Sequence, residues 1–162
     1  MVTPQNSMRH PKSLPTGFTL IELIVSITIV AILATIAVPS FTEFSASQRV
    51  KAAASNLFIS ILRARSEAIK RDATVTLTPI GGDWAKGWTM QDTASPDLNL
   101  ERQDLTGNIT ISGPASLSYR SSGRLADTSV TGFSISGSGT SSQRCVTVSL
   151  DGQPMNKTGA CS

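Results

Sequence analysis

Residues 17–38 read GFTLIELIVSITIVAILATIAV, and this stretch decides the fold. From Phe18 to Val38 it contains 21 residues, of which only Glu22 is ionisable. At about 1.5 Å per residue, a helix of that length spans the roughly 30 Å hydrocarbon layer of a bilayer. The stretch therefore predicts a transmembrane helix. Its carboxyl group needs an explanation, because an unpaired charge inside a bilayer is costly and usually marks function.

The residues around the apolar stretch argue against an ordinary secretory signal. Such a signal has an apolar core of about 7–15 residues followed by a small-residue cleavage site. Here the core is longer, and residues 39–41 (Pro-Ser-Phe) do not resemble such a site. Arg9 and Lys12 precede the core, and no acid does. Positive charges favour the cytoplasmic side, so the rest of the chain is expected to face outward.

The segment GFTLIEL, residues 17–23, resembles the cleavage and methylation motif of type IV pilins and pseudopilins, and the resemblance continues to Pro39. It implies that a prepilin peptidase cuts between Gly17 and Phe18 on the cytoplasmic face and that the new Phe18 amine is methylated. It also implies that the carboxylate of Glu22 pairs with the terminal amine of a neighbouring subunit during assembly. Desolvation offsets much of the attraction in such a pair, so we interpret it as a device for setting register.

The proline at position 39 lies within what the pattern predicts to be one long helix, where it removes a hydrogen bond and kinks or loosens the chain. In related filaments, a proline at the matching position lies near a stretch that loosens on assembly. The alternative is a simple kink where the helix leaves the membrane.

From Phe41 to about Arg71 the sequence has no glycine or proline, and apolar residues recur every three or four positions. This spacing predicts an amphipathic helix whose buried face carries Val50, Ala54, Leu57, Ile61, Ala64 and Ala68. Glu67 is spaced to pair with Arg63 and Arg71 on the outer side. The outer charges are typical of a solvated helix surface, and a binding stripe for DNA or a partner subunit is the alternative.

Residues 57–71, together with Val75-Thr76-Leu77, Asp83-Trp84 and Gly87-Trp88, resemble the GspH/FimT group of minor pseudopilins and minor pilins. The resemblance implies an α+β, type IV pilin-like fold, in which a long N-terminal helix packs on a mainly antiparallel β-sheet domain. It implies partners of four kinds: other pilins, the prepilin peptidase, the inner-membrane assembly platform and the lipid bilayer. We expect a cleaved leader (1–17), a transmembrane assembly helix (18–38), its amphipathic continuation (39–72) and a periplasmic β-rich domain (73–162).

After Arg71 the apolar period shifts toward two, which predicts short antiparallel strands over 74–78, 88–90, 108–112, 117–120, 133–135 and 145–150. Trp84 and Trp88 are expected to pack in the core rather than to stack on a ligand, since this body has few other large side chains. Asp151-Gly152 predicts a two-residue hairpin turn that pairs Leu150 with Gln153 and sets Cys145 opposite Thr158.

Cys145 and Cys161 are the only cysteines, and both lie in the part expected to be exported. A disulfide between them is predicted to contribute about 3 kcal/mol. A metal site is not expected, because zinc needs four ligands and His10, in the leader, is the only histidine. No catalytic set or cofactor motif emerges, so the chain is not expected to be an enzyme.

Some relatives in this group take up DNA for natural transformation, through arginines in a Gly-Arg-x-Arg pattern on the final hairpin. The matching stretch here is Gly152-Gln153-Pro154-Met155, which keeps the glycine and lacks both arginines. The candidate phosphate contacts that remain are Arg120, Arg124, Arg144 and Lys157. Residues 73–162 carry six Lys or Arg and seven Asp or Glu, a net charge of −1. Phosphate binding needs clustered positive charge, and this body is nearly neutral. We therefore expect a structural subunit of a pilus or pseudopilus that supports filament initiation, and DNA binding is the alternative.

Overall fold

Residues 17–105, 107–126 and 131–161 are described in the computed structural model, with the backbone alone for residues 96–99. The predicted leader, apart from Gly17, lies outside the described residues. The chain divides at Pro39 into two compact units, Met1–Val38 and Pro39–Ser162. Helix α1, Leu20–Arg71, begins in the first unit and ends in the second, with Pro39 inside it.

In the first unit, every described residue is exposed. The hydroxyl groups in this apolar segment bond to carbonyl oxygens of their own helix: Ser26 Oγ donates to Glu22 O (2.7 Å), and Thr28 Oγ1 donates to Ile24 O (2.8 Å). Such back-bonding satisfies polar atoms that a bilayer could not. By length and composition, α1 is the one helix among the described residues that could cross a membrane.

The second unit contains eight strands: β1 Val75–Pro79, β2 Gly87–Asp92, β3 Ser95–Asp104, β4 Ile109–Ser112, β5 Leu117–Tyr119, β6 Thr131–Gly137, β7 Gln143–Val148 and β8 Pro154–Thr158. They form two four-stranded sheets of order β3-β2-β1-β5 and β4-β6-β7-β8. Neighbouring strands are antiparallel within both sheets. The predicted α+β fold with antiparallel strands is confirmed. Its division into two sheets was not predicted.

The predicted helix face is confirmed: Val50, Ala54, Leu57, Ile61, Ala64 and Ala68 are all fully buried. Both tryptophans also lie in the core, as expected. The Trp84 ring packs edge-on against Phe133 with centroids 4.9 Å apart, and its Nε1 donates to Pro114 O (2.7 Å). Because Trp84 follows β1 and Phe133 lies on β6, this contact joins the two sheets into one core.

The last hairpin differs from the predicted one by one residue. Val148 pairs with Pro154 and Cys145 with Lys157, so the predicted pairings of Leu150 with Gln153 and of Cys145 with Thr158 are wrong. The turn is a three-residue loop: Gly152 N donates to Ser149 O (2.8 Å), and Ser149 N donates to Gln153 O (3.0 Å). Gly152 has φ of 83°, the left-handed conformation that closes such a loop after a type I turn.

The disulfide Cys145–Cys161 is present, with Cα atoms 5.1 Å apart, and confirms the predicted pairing. Since Cys145 lies on β7 and Cys161 three residues beyond β8, the bond closes the open end of the hairpin. Gly159 allows the chain to turn back there, with φ of 100° and its N–H donating to Gln143 O (2.9 Å).

Candidate assembly site

The residues at the start of α1 are arranged by a helix cap. Thr19 is the N-cap residue, because its Oγ1 accepts from Glu22 N (3.3 Å) and its carbonyl accepts from Leu23 N (3.2 Å). The sequence Thr-Leu-Ile-Glu over residues 19–22 is the capping-box pattern, in which an acid three residues after the cap favours helix initiation. The same pattern therefore fixes where the helix begins and places Glu22 in its first turn.

This geometry determines what Glu22 can do. A carboxylate in the first turn lies next to the partial positive charge of the helix N-terminus, which favours a negative group there. Phe18 precedes the cap and is 82% exposed, so a backbone amine at Phe18 would lie in the open. Among the described residues, the side chain of Glu22 has no salt-bridge partner. The site thus combines a helix start, an accessible Phe18 and a carboxylate that is not paired within the described chain.

The outer charges of α1 pair differently from the prediction. Glu67 accepts from Arg71 Nε (2.7 Å) as predicted, and its carboxylate lies 3.8 Å from Lys70 Nζ. The hydrogen bond from Arg71 is the main cause that lowers the pKa of Glu67. Arg63 does not pair with Glu67: its guanidinium donates to Glu101 on β3 (2.6 Å). This pair was missed because Glu101 lies on the strand that the sequence pattern did not reveal.

Ser60 strengthens the same link, since its hydroxyl donates to the other carboxylate oxygen of Glu101 (2.5 Å). Ser60 is buried and the Glu101 side chain is only 12% exposed. The link ties β3, an edge strand, to the outer flank of α1. A serine at a buried helix position was the available signal, because a buried hydroxyl needs a hydrogen-bond partner.

The four candidate phosphate contacts do not come together. Arg120 and Arg124 lie on the turn after β5, which approaches the Gly152 end of the final hairpin. Arg144 and Lys157 lie at the opposite end of that hairpin. Arg144 is four residues from Val148, which is about 13 Å along a strand at 3.3 Å per residue.

Within the second pair, the two cations face opposite ways. Residues directly opposite in antiparallel strands share a face, and Arg144 pairs with Thr158 while Lys157 pairs with Cys145. Adjacent positions on a strand alternate between faces, so Arg144 and Lys157 lie on opposite faces of the sheet. Arg144 shares its face with the buried Ile135, and its Nε is buried without a hydrogen-bond partner among the described residues. This arrangement does not form a phosphate-binding cluster.

Two open grooves lie on the surface of the second unit. One, of about 330 Å³, is lined by helix residues 40–47 and by residues 140–142, and the other, of about 200 Å³, lies between α1 and the end of β3. Neither groove holds a set of metal-ligating side chains, and no cluster of three or more His, Cys, Asp or Glu occurs in the described part of the chain.

Two sequence models of known families match the chain. A sequence model of the family described as type II transport protein GspH matches residues 53–152, and a model of the prokaryotic N-terminal methylation motif matches residues 15–38. A search of curated protein sequences finds no match.

Three solved structures resemble the chain in fold. The type IV minor pilin FimU of Pseudomonas aeruginosa has a TM-score of 0.62 at 21% identity, covering 74% of this chain and 99% of its own. A second crystal form of FimU gives 0.59 at 22% identity, covering 69% and 99%. The minor pseudopilin EpsH of the Vibrio cholerae type 2 secretion system gives 0.52 at 16% identity, covering 69% and 97%.

Proposed function

The chain belongs to the GspH family of minor pilins and pseudopilins, and we propose that it serves as a low-abundance subunit in the initiating or tip complex of an extracytoplasmic filament. In this proposal, a prepilin peptidase cuts between Gly17 and Phe18, and the Phe18 amine is methylated. The subunit is held in the bacterial inner membrane by residues 18–38, with the sheet domain in the periplasm. The inner-membrane assembly platform then inserts it among other pilins.

One observation carries the proposal: Glu22 is the only charged residue on an exposed apolar helix segment and lies one turn from Phe18. Cleavage before Phe18 would create an amine at the edge of the apolar layer. A carboxylate from another subunit would neutralise that amine where solvent is excluded. The match of residues 15–38 to the methylation motif supports the same processing step.

The sheet domain supports a structural role by what it contains. Its core is filled by large apolar side chains such as Trp88, Tyr119 and Phe133. The disulfide that closes the final hairpin and the link from Glu101 to α1 support the display of a folded domain at a filament end. A deletion strain, described below, distinguishes a subunit of type II secretion from a subunit of a type IV pilus.

The test is the variant Glu22→Ala, with Glu43→Ala as its matched control. Both glutamates lie on exposed positions of α1, and only Glu22 lies in its first turn. We expect Glu22→Ala to be cleaved and inserted normally but to lose at least about tenfold in co-purification with other pilins, as for loss of one partner of a buried charge pair. Glu43→Ala should assemble as the natural chain does. Normal incorporation of Glu22→Ala would contradict the proposed role.

A deletion strain identifies the machine. Loss of exoprotein secretion with normal twitching would assign the subunit to type II secretion, and loss of twitching with normal secretion to a type IV pilus. Loss of transformation alone would instead favour the DNA-binding function.

A further inference from the structure

Two aromatic side chains of α1 are exposed close to the point where the apolar segment ends. Phe41 is 71% exposed and Phe44 is 59% exposed, and they share one side of the helix because residues three apart are neighbours on its surface. They follow Val38 by three and six residues, which is about 4.5 Å and 9 Å of helix. Helical side chains lean toward the N-terminus of their helix, so both rings lean back along α1.

The distribution of charge along α1 changes at the same place. The apolar segment, residues 18–38, contains one ionisable residue, and residues 39–48 contain one more, Glu43. In contrast, eight of the 24 residues from 49 to 72 are charged. Residues 39–48, with hydroxyl groups and two phenylalanines but a single charge, have the mixed composition that suits a headgroup region. That region is about 5–8 Å deep on each side of a bilayer.

A loop of the second sheet lies beside these helix residues. β6 ends at Gly137, where a Cβ would lie 2.7 Å from Val50 Cγ2, so the strand reaches the surface of α1. The loop that follows, residues 138–142 (Ser-Gly-Thr-Ser-Ser), carries no charge. Its last three residues line the groove of about 330 Å³ together with Phe44 and other residues of helix segment 40–47. The loop and Phe44 therefore belong to one surface of the second unit.

We propose that Phe41, Phe44 and the loop of residues 138–142, together called the interfacial surface, lie in the headgroup region of the bilayer that holds the apolar segment. Aromatic rings are favoured at the boundary between headgroups and acyl chains, and the hydroxyl groups of the loop can donate hydrogen bonds to phosphate and ester oxygens. The inference rests on the proposed membrane anchor and extends it, because it assigns a lipid contact to the second unit as well.

Chain connection identifies a bilayer as the partner of the interfacial surface. Phe41 and Phe44 follow the apolar segment so closely that their distance from it along the chain stays short whatever the bend at Pro39. Because the surface carries no charge, a zwitterionic phospholipid is sufficient, and anionic lipid is not needed to attract it. Ile59 is as exposed as Phe44, at 56%, but lies 21 residues beyond Val38, so it provides a matched control.

The experiment adds one tryptophan to the full chain in phosphatidylcholine vesicles and measures its quenching by phospholipids that carry bromine near the headgroup or near the chain ends. Trp84 and Trp88 are buried, so the natural chain supplies a background to subtract. Phe44→Trp should lose fluorescence, more strongly with bromine near the headgroup. Ile59→Trp, about 22 Å farther along α1, should lose none.

A second pair of variants tests the loop. Ser141→Trp, at an exposed position of the loop before β7, should be quenched with the same depth order as Phe44→Trp. Leu150→Trp, in the turn after β7, is at the opposite end of that strand and should not be quenched. Adding anionic phospholipid should leave the quenching of Ser141→Trp and Phe44→Trp unchanged. Resistance of the disulfide to alkylation without reductant shows that each variant is folded.

A variant within the apolar segment separates this inference from the proposed anchor. Ile29→Trp, near the middle of residues 18–38, should be quenched most by bromine near the chain ends. If Ile29→Trp behaves so but Phe44→Trp or Ser141→Trp escapes quenching, the interfacial surface is overturned alone. If Ile29→Trp is not quenched either, the anchor fails together with the inference.

Two further results would overturn the interfacial surface in favour of another arrangement. Quenching of Ile59→Trp equal to that of Phe44→Trp would show that the whole domain lies on the bilayer. Shielding of Phe44→Trp from bromine that grows with the ratio of protein to lipid would assign this face of α1 to a second copy of the chain.

Discussion

Leu33 and Leu57 are the same amino acid in the same helix, yet Leu33 is 60% exposed and Leu57 is fully buried. The contrast extends to their surroundings. Isoleucines, leucines and valines between residues 20 and 38 are 45–75% exposed, whereas a whole stripe of the helix from Val50 to Ala68 is covered by the two sheets. The second half of α1 therefore buries its apolar face against the sheets of its own chain.

The first half has no such cover among the described residues. Burial of apolar surface contributes about 25 cal/mol per Å², so leaving this segment in water would be strongly unfavourable. A bilayer would provide such cover for a helix segment of this length and composition. The apolar surface of the second half of α1 is thus buried by folding, whereas that of the first half would be buried by insertion into a membrane.

The largest effect that tests this contrast comes from truncating each leucine in turn. Leu57→Ala is expected to lower the free energy of unfolding of the sheet domain by about 2–5 kcal/mol, because it leaves a cavity in the core. Leu33→Ala should change it by less than about 0.5 kcal/mol. Urea unfolding of the full chain in detergent, followed by tryptophan fluorescence, measures this directly, since Trp84 and Trp88 both lie in that core. Equal losses in the two variants would show that the halves are not independent.

A second, smaller effect concerns the covalent closure of the second unit. Replacing Cys145 and Cys161 together by alanine should lower the free energy of unfolding by about 3 kcal/mol, because the unfolded chain regains the entropy of an open loop. Retention of the chain in membranes after alkaline extraction should not change, since the anchor that we propose, residues 18–38, does not include this bond. Loss of membrane retention in the double variant would show that the sheet domain and the first half of α1 depend on each other, which would contradict this expectation. If the double variant were as stable as the natural chain, the bond would only hold the C-terminal residues in place and would not stabilise the fold.

The sequence was sufficient for features that rest on periodicity or on one distinctive residue. The buried stripe of α1 follows from spacing of three or four, and the disulfide from having only two cysteines in the β-rich half. In contrast, β3 was missed because residues 95–104 (SPDLNLERQD) are polar and contain a proline, as suits an edge strand paired on one side only. An edge strand buries little, so its sequence carries little alternation.

The final hairpin shows a different limit. Asp151-Gly152 predicted a turn at the right place but of the wrong length, because Gly152 in the left-handed conformation suits a two-residue or a three-residue loop. Ser149 decides between them through its bonds to Asp151 and Gln153. In the candidate assembly site, the cap at Thr19 was not predicted, although residues 19–22 carry the capping-box pattern. The roles of Gly17, Phe18 and Glu22 depend on partners and remain predictions.

The smallest effect compares two glutamates of the same helix, Glu22 without a partner in the described chain and Glu67 bonded to Arg71. Arg71 lowers the pKa of Glu67 below the ordinary 4.5, so the folded state holds the proton less tightly than the unfolded state. The stabilisation is therefore complete above that ordinary value and is lost as pH falls through the lowered pKa. As for other i,i+4 pairs on a helix surface, we expect about 0.3–0.5 kcal/mol.

Urea unfolding of the natural chain and of Glu67→Gln between about pH 6 and pH 3 measures this contribution as the difference between the two pH profiles. The natural chain should be the more stable at the upper end, and the profiles should converge at the lower end. Glu22→Gln should leave the profile of the sheet domain unchanged, because the Glu22 carboxylate has no salt-bridge partner in the described part of the chain. A Glu22→Gln profile that flattened as much as that of Glu67→Gln would mean that the first half of the helix also has a charge partner in its own chain, which would remove the reason to look for one in a neighbouring subunit.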